Sequence, residues 1–561
     1  MLRWKEMILS ATLALVLTAA PVSASVPAPE AGDAYTSQEA LSRYLLGRLL
    51  EEQGDRGEAL NQFYRAMVLD PRAGGIARRV SELKLARGES ESALEFADKA
   101  LAADPRDARA SWLRGAALLN LERVGDALAP LQNAVALDSE RVEYWRTLAL
   151  AADHVENWRL SADAWRHAAW LDEEDGESWF QLAASLARLG RFGGADSAAQ
   201  RAAELNTMRP GLLFLQGWIA ENLGRNHEAA EFYRHQIALQ SDDETVQRRL
   251  IAVLVRDERW SEALDEVRPL AAAHPDDLDL RHLELDLCFR AGRKSEGMRG
   301  IEALRRTDPN SPEALAVRVD VLARHGQAAT AAGEAETWSA AHPNDVRGWL
   351  LAAFAREKQG RLDDAERHLE HAVQVAPDSV DVYYTIGRFY RDHGRDHDAE
   401  RVYLDATRRF PGEDGLWFNL AATRERLGDL PGAEAAVRDV LGREPDNPGA
   451  LNFLGYMWAD HGLRLDEAVE MVQRALTADP DNGAYLDSLG WAYFRLGRLD
   501  EARPLLERAV ALTRGDPVVR EHLGDVYKSL KLNALARDQY RLALATDTGN
   551  ARLKGKLEEL R

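Results

Sequence analysis

The sequence predicts an all-α fold, a right-handed superhelical solenoid of about fifteen helix–turn–helix repeats with a C-terminal capping helix. Three observations support this prediction: a proline that returns at a fixed spacing, a small residue at a constant place in every repeat, and apolar residues spaced for one face of a helix. Two helices of this length cannot bury their apolar faces alone, so each pair needs neighbours of the same kind.

The spacing of the prolines sets the register of the array. The prolines that lie 34 residues, or multiples of 34, apart are Pro71, Pro105, Pro275, Pro309, Pro343, Pro377, Pro411 and Pro445. Between Pro105 and Pro275 the four positions in this phase hold other residues, Ser139, Glu173, Thr207 and Ser241. The array therefore takes eleven consecutive steps without an insertion, which is typical of a repeat protein.

A small side chain occupies one position in the second helix of each repeat. This residue is Ala59, Ala93, Ala127, Ser161, Ala195, Ala229, Ala263, Gly297, Ala331, Ala365, Ala399, Ala433, Ala468, Ala502 and Ala536. The distance between two packed helices depends on the side chains at their contact, so a small residue there lets the backbones approach closely. The first helix has a matching close-approach position, as at Gly387, twelve residues before Ala399.

One repeat shows the complete signature. Gly387 is followed by Ala399 at plus twelve, by Ala406 at plus nineteen and by Pro411 at plus twenty-four. This pattern resembles the tetratricopeptide repeat (TPR) family, and the resemblance covers nearly the whole chain. It implies paired helices in an N-terminal array at 37–241 and a C-terminal array at 344–548, with a capping helix at 549–561.

The central stretch 242–343 departs from this pattern. Its close-approach and plus-nineteen positions hold the bulky residues Ile251, Leu285, Val319, Leu270, Leu304 and Trp338. Pro269 also falls deep inside a second helix, where proline removes a backbone hydrogen bond. Bulky side chains should push the paired helices apart, so we expect this stretch to change the curvature of the solenoid and to act as a hinge.

The amino-terminal segment has the features of an export signal. Arg3 and Lys5 precede an apolar run that ends before a small-x-small cleavage site. We therefore expect a signal peptide at 1–24, a flexible leader at 25–36, and an exported protein that is periplasmic or envelope-associated. An uncleaved N-terminal anchor is the alternative, although the run is short for a membrane span. No other apolar segment of spanning length occurs, which leaves peripheral association with the envelope open.

The last three repeats contain the strings NFLGYMWADHG, YLDSLGWAYFRLG and REHLGDVYKSL. These strings resemble, beyond TPRs in general, a group of exported bacterial envelope proteins without a catalytic domain. The resemblance implies a non-catalytic scaffold or adaptor, or a scaffold subunit of an exopolysaccharide synthesis or export assembly. Many members of that group carry a lipid on an N-terminal cysteine, which is missing from the predicted cleavage site of this sequence.

The TPR resemblance also implies where a partner binds. In a TPR stack, the residues three before and one after the close-approach position face the binding groove. Here these candidates are Asn452, Tyr456, Asp487, Trp491, Glu521 and Asp525, with the upstream equivalents Tyr384, Arg388, Phe214 and Trp218. Exposed aromatic rings, an amide and carboxylates in one groove suit an extended peptide, whereas the alternative is that Asp487 and Glu521 cap turns or stay solvated. The family's clamp for C-terminal carboxylates uses Lys and Asn at these sites, so the acids found here disfavour that function.

Composition and motifs argue against other classes of function. A formal charge of −21 at pH 7 disfavours a nucleic-acid partner, and the single cysteine, Cys288, is expected to pack as a core residue. His368 with His371, and His393 with His397, lack the third ligand that a metal site needs. No P-loop, GxSxG or HExxH motif occurs. We expect a protein or peptide partner and no catalytic residues, metal or cofactor; an enzyme with a site inside the solenoid is the less favoured alternative.

Overall fold

The computed structural model describes residues 37–205, 211–240, 243–546 and 549–560. The predicted signal peptide at 1–24 and leader at 25–36 lie outside the described residues, so both stay predictions. Within the described ranges every regular element is an α-helix. The all-α prediction is therefore confirmed.

The described ranges contain 31 helices, which follow one another in order along the chain. They are α1 Gln38–Glu52, α2 Arg56–Leu69, α3 Gly74–Ala86, α4 Ser90–Ala103, α5 Ala108–Asn120, α6 Val124–Leu137, α7 Val142–His154, α8 Trp158–Leu171, α9 Gly176–Arg188, α10 Phe192–Leu205, α11 Leu212–Asn222, α12 Asn226–Leu239, α13 Glu244–Arg256, α14 Trp260–Ala273, α15 Leu278–Arg290, α16 Lys294–Thr307, α17 Pro312–Arg324, α18 Ala328–Ala341, α19 Val346–Lys358, α20 Leu362–Val375, α21 Val380–Asp392, α22 Asp396–Arg409, α23 Asp414–Arg426, α24 Leu430–Arg443, α25 Pro448–His461, α26 Leu465–Ala478, α27 Gly483–Arg495, α28 Leu499–Leu512, α29 Pro517–Ser529, α30 Asn533–Thr546 and α31 Ala551–Glu558.

Helices α1 to α30 form fifteen helix–turn–helix pairs, and α31 follows the last pair. The two helices of a pair pack on each other, as α1 does on α2 and α27 on α28. First helices of neighbouring pairs also contact each other: α25 contacts α27, and α27 contacts α29. The chain divides into two compact units, unit 1 up to Arg299 and unit 2 from Gly300, and the boundary falls inside α16.

The close-approach position is small because the second helix of the pair places a large side chain against it. A Cβ atom on Gly387 would lie 2.2 Å from Cζ of Tyr403, a ring that is 1% exposed. A Cβ atom on Gly524 would lie 2.3 Å from Cε1 of Tyr540 in the last pair. Real Cβ contacts are not this short, so any larger residue would force the helices or the ring to move.

Replacing Gly387 by alanine is expected to destabilise unit 2 by about 1–3 kcal/mol, because the added methyl group overpacks a filled contact. Gly333, inside α18, provides the matched control, since a Cβ atom there meets nothing within 4 Å. Gly333→Ala should instead stabilise the helix by about 0.5–1 kcal/mol through the lower backbone entropy of alanine in the unfolded chain. Urea unfolding followed by circular dichroism measures both changes, and a shift of the same sign in the two variants would contradict this packing argument.

Aromatic residues near the start of several first helices anchor the loop from the preceding repeat. In each case a ring nitrogen or hydroxyl group donates to the backbone carbonyl oxygen six residues earlier. The pairs are Trp145 with Ser139 (2.8 Å), Trp179 with Glu173 (3.2 Å), Trp349 with Pro343 (3.1 Å), Trp417 with Pro411 (3.0 Å) and Tyr383 with Pro377 (3.2 Å). These aromatic residues therefore have a structural role at the joints between repeats.

The central stretch buries five of its six bulky residues in the core, whereas Leu304 is half-buried. Ile251, Leu285 and Val319 are at most 4% exposed. Helix α14 runs unbroken through Pro269, and Cys288 is buried as expected. The division between the two units falls inside 242–343, while the change of curvature expected there stays a prediction.

Helix α31 covers the end of unit 2. Leu553 and Leu560 are 1% and 8% exposed and belong to the same apolar core as the last repeats. Arg537 of α30 donates to the backbone carbonyl of Leu560 at 2.6 Å. A terminal element that buries one face and presents a polar outer face is what an array needs to stay soluble.

Candidate functional site

The candidate residues of the last repeats lie on adjoining helices. In unit 2 the first helices α25, α27 and α29 pack side by side and form a surface that we call the first-helix face. The structure brings Tyr456, Asp487 and Trp491 together there around a residue that sequence reasoning missed, His522. Nδ1 of His522 lies 2.9 and 3.1 Å from the two carboxylate oxygens of Asp487. Because an ionised carboxylate only accepts, this nitrogen carries the proton.

Trp491 is enclosed by this group. Its ring stacks on the His522 ring with 4.1 Å between centroids and contacts Phe494 at 4.9 Å. Its Nε1 donates to Oδ1 of Asp460 at 3.2 Å. The prediction of an exposed aromatic anchor at Trp491 is wrong, because the side chain is only 9% exposed and has a packing partner in the next repeat. Asp487, 6% exposed, is likewise neither solvated nor the cap of a turn.

Glu521 and Asp525 are occupied by the chain itself. Lys556 of α31 lies 2.7 Å from Oε1 of Glu521 and 2.6 Å from Oδ2 of Asp525, and Arg552 donates to Oε2 of Glu521 at 2.8 Å. Tyr540 donates its hydroxyl proton to Asp525 at 2.7 Å. The expectation that these two carboxylates are available to a partner is therefore wrong: the capping helix neutralises them.

Asn452 and Tyr456 keep polar groups for a ligand. The Oδ1 atom of Asn452 is buried and has no hydrogen-bond partner in the described part of the chain. Tyr456 is half-buried one helical turn later on α25. Burial, reinforced by the charges of Asp460 and Asp487, raises the pKa of Tyr456, so its hydroxyl group stays a hydrogen-bond donor at neutral pH.

The remaining candidates lie elsewhere. Tyr384 is half-buried on α21, with its hydroxyl group against Gly415 of the next first helix, and Arg388 is exposed one turn later. Burial raises the pKa of Tyr384. Phe214 and Trp218 belong to α11 of unit 1 and are not part of the group around His522. Phe214 is 6% exposed and contacts the Tyr233 ring at 5.9 Å, whereas Trp218 is half-buried and contacts Phe192 at 6.0 Å.

Sequence reasoning missed two aromatic residues at the edge of the first-helix face, where α25 meets α23. Phe418 on α23 and Phe453 on α25 are half-buried and stack with 6.1 Å between ring centroids. Phe418 stands three residues before Ala421, which holds the close-approach position in place of glycine. The repeat register alone could have found it, since the offset is that of Asn452 and Asp487.

The described residues contain no group of three or more histidine, cysteine, aspartate or glutamate side chains that could hold a metal ion. The Asp487–His522 pair resembles part of a catalytic triad, but nucleophilic catalysis also needs a nucleophile hydrogen-bonded to the histidine. Among the residues placed by the structure, no helix is long and apolar enough to span a bilayer.

Comparisons with known proteins agree with the helix pairs. Family models described as tetratricopeptide repeat match residues 81–142 and 210–243. The chain is a tetratricopeptide repeat protein. Residues 306–559 also match the model described as the C-terminal domain of cilia and flagella-associated protein 70. TPR arrays generally mediate protein–protein interactions, so a protein partner is the expected ligand of this one.

Individual relatives match the TPR protein over limited lengths or at low identity. A TPR repeat-containing protein of Pseudomonas aeruginosa is 33% identical over 169 residues, which is 30% of this chain and 28% of the relative. The structure of Naa15/Naa10 bound to HypK-THB is 15% identical and covers 93% of this chain and 96% of that chain, with a TM-score of 0.40. YrrB, described as a TPR protein with an unusual peptide-binding site, is 22% identical and covers 33% of this chain and 96% of that chain, with a TM-score of 0.32.

Proposed function

We propose that this TPR protein is a non-catalytic scaffold or adaptor of the bacterial envelope that binds an extended segment of a partner protein on the first-helix face of unit 2. The observation that carries the proposal is the buried, unpaired Oδ1 atom of Asn452. An unpaired buried acceptor costs about 1–3 kcal/mol. The Asn452 side chain is half-buried, and its rotation toward the surface to accept from a backbone N–H group of a bound segment would remove that cost.

Groups beside Asn452 suit the same ligand. The hydroxyl group of Tyr456 has no hydrogen-bond partner among the described residues, and it can donate to a backbone carbonyl of the segment. The half-buried rings of Phe418 and Phe453 offer an apolar surface for one of its side chains. An acceptor, a donor and an apolar surface on adjoining helices correspond to the alternating groups of an extended peptide.

The envelope location rests on the N-terminal sequence, with its basic residues, apolar run and small-x-small site. Similarity to a TPR protein of Pseudomonas aeruginosa agrees with a bacterial setting. A fusion of the full chain to alkaline phosphatase, which is active only after export, tests this part in bacterial cells. We expect phosphatase activity from the full fusion and none from a fusion that starts at residue 25, and activity from both or from neither would contradict export by this segment.

The binding site is tested by photocrosslinking in cells. The full chain carries p-benzoylphenylalanine in place of Tyr456, or, as a control, in place of Leu542, which is 49% exposed on the second helix α30. We expect one discrete adduct from position 456 and none from position 542. Mass spectrometry of the adduct identifies the partner, and a glycosyltransferase or polysaccharide exporter would indicate an exopolysaccharide assembly.

A second change separates specific binding from proximity. Asn452→Ala removes the unpaired acceptor without adding bulk, so it should leave the helical circular dichroism unchanged. We expect the adduct from position 456 to weaken at least about tenfold in this variant, as a loss of about 1.4 kcal/mol implies. An adduct of equal strength with and without Asn452 would refute the proposed role of the first-helix face.

A further inference from the structure

Unit 1 contains a cleft that no sequence motif predicts. It has a volume of about 550 Å³ and is lined mainly by α13, with one wall from α11. Three arginines, Arg248, Arg249 and Arg256, line it together with Thr245 and two glutamates. In a chain with a formal charge of −21, three guanidinium groups around one cleft form a local basic site, and a cleft concentrates the field of its charges.

Glu221 fixes the position of two of these arginines. Its Oε1 atom accepts from Arg256 at 2.6 Å, and its Oε2 atom accepts from Arg249 at 3.0 Å and from the Tyr233 hydroxyl group at 2.8 Å. Burial opposes ionisation of Glu221, but the hydrogen bonds from Arg256 and Tyr233 and the charge of Arg249 outweigh it and hold the pKa of this carboxyl below its ordinary value. Glu221 is therefore ionised at neutral pH, and it holds the two guanidinium groups side by side.

Donor groups remain for a ligand. A guanidinium group has five N–H donors, and Glu221 accepts from one nitrogen each of Arg249 and Arg256, whose side chains keep 37% and 48% exposure. Arg248, 46% exposed, bonds to Glu244 at 2.8 Å and reaches Asp277 only at 3.5 Å. All three arginines thus combine a fixed position with accessible donors.

We propose that this cleft binds the carboxylate side chains of an acidic protein segment. Planar guanidinium groups match carboxylates in bidentate geometry. The wall carboxylates Glu221 and Glu244 repel a dianion more strongly than a monoanion, which favours carboxylate over phosphate. Arg248 and Arg256 lie eight residues apart on α13, roughly 12 Å along the helix axis, and an extended chain covers that distance in about four residues. The preferred segment therefore carries two acidic residues at positions i and i+4.

This site does not depend on the function proposed for unit 2, and it can be tested on the full chain with defined probes. The probe is a fluorescein-labelled twelve-residue Gly/Ser peptide with Glu at positions 4 and 8, compared with the same peptide carrying Gln at both positions. Fluorescence anisotropy should show saturable binding of the Glu probe, weakened by salt, and at least about tenfold weaker binding of the Gln probe. No saturable binding of the Glu probe, or equal binding of both probes, would overturn the proposal.

Substitutions of the cleft residues test whether the Glu probe binds in the cleft. The double change Arg248→Gln with Arg256→Gln should weaken the Glu probe at least about tenfold. Arg201→Gln on α10, 41% exposed and paired with Glu204, removes one charge from the same unit and should leave affinity within about twofold. Ala252→Glu keeps every arginine and places a carboxylate in the cleft, so it should abolish binding even if the double variant unfolds. Retained affinity in Ala252→Glu, or tighter binding of a phosphoserine probe than of the Glu probe, would refute a carboxylate site.

Discussion

Trp491→Ala is expected to destabilise unit 2 by about 3–5 kcal/mol, the usual cost of truncating a buried tryptophan. The ring is 9% exposed, stacks on His522 at 4.1 Å between centroids, and donates from Nε1 to Asp460. Its removal leaves a cavity among three adjoining first helices. The buried His522 side chain also loses the ring on which it stacks. Urea unfolding followed by far-ultraviolet circular dichroism measures the loss.

Two further variants divide this effect into its parts. Trp491→Phe keeps a ring against His522 and loses the hydrogen bond to Asp460, so it should cost about 1 kcal/mol. Leu542→Ala, at a side chain that is 49% exposed in the same unit, should stay within about 0.5 kcal/mol of the wild type. If Trp491→Ala were no more costly than Leu542→Ala, the ring would be a surface anchor after all. The sequence-based interpretation would then be restored.

Most of the fold could be predicted from the 34-residue spacing of the repeats. Small residues such as Gly387 recur because a large second-helix side chain such as Tyr403 fills the same contact in each pair. Both residues of this contact belong to one repeat, so the need for a small residue can be seen in the sequence of a single repeat. The same register also identified which residues lie on first helices. Asn452 and Phe418 share one offset from the close-approach position, although only the first was recognised, because alanine replaces glycine at Ala421.

Burial of those candidates could not be predicted in the same way. Whether a first-helix side chain is free depends on what the next repeat places over it, and that residue lies about one repeat length away in the chain. Trp491 is covered by His522, which the pattern does not single out. Glu521 and Asp525 are paired by a helix that lies outside the repeat pattern altogether. The cleft around Arg248, Arg249 and Arg256 was missed because Glu221, which fixes two of these arginines, lies on a different helix.

Lys556→Ala is expected to destabilise unit 2 by about 2–3 kcal/mol, because it leaves buried carboxylates without their main counter-charge. Lys556 contacts both Glu521, 3% exposed, and Asp525, while Arg552 supports only Glu521 and is itself 68% exposed. Lys528→Ala is the matched control: its partner Glu559 is 63% exposed, and a surface pair contributes at most about 1 kcal/mol. Adding Asp525→Asn to Lys556→Ala removes the carboxylate that has lost its cationic partner, and it should recover part of the loss in urea unfolding. Equal costs for the two lysine variants, or no recovery in the double variant, would show that the charges of α31 do not hold it on the last repeat.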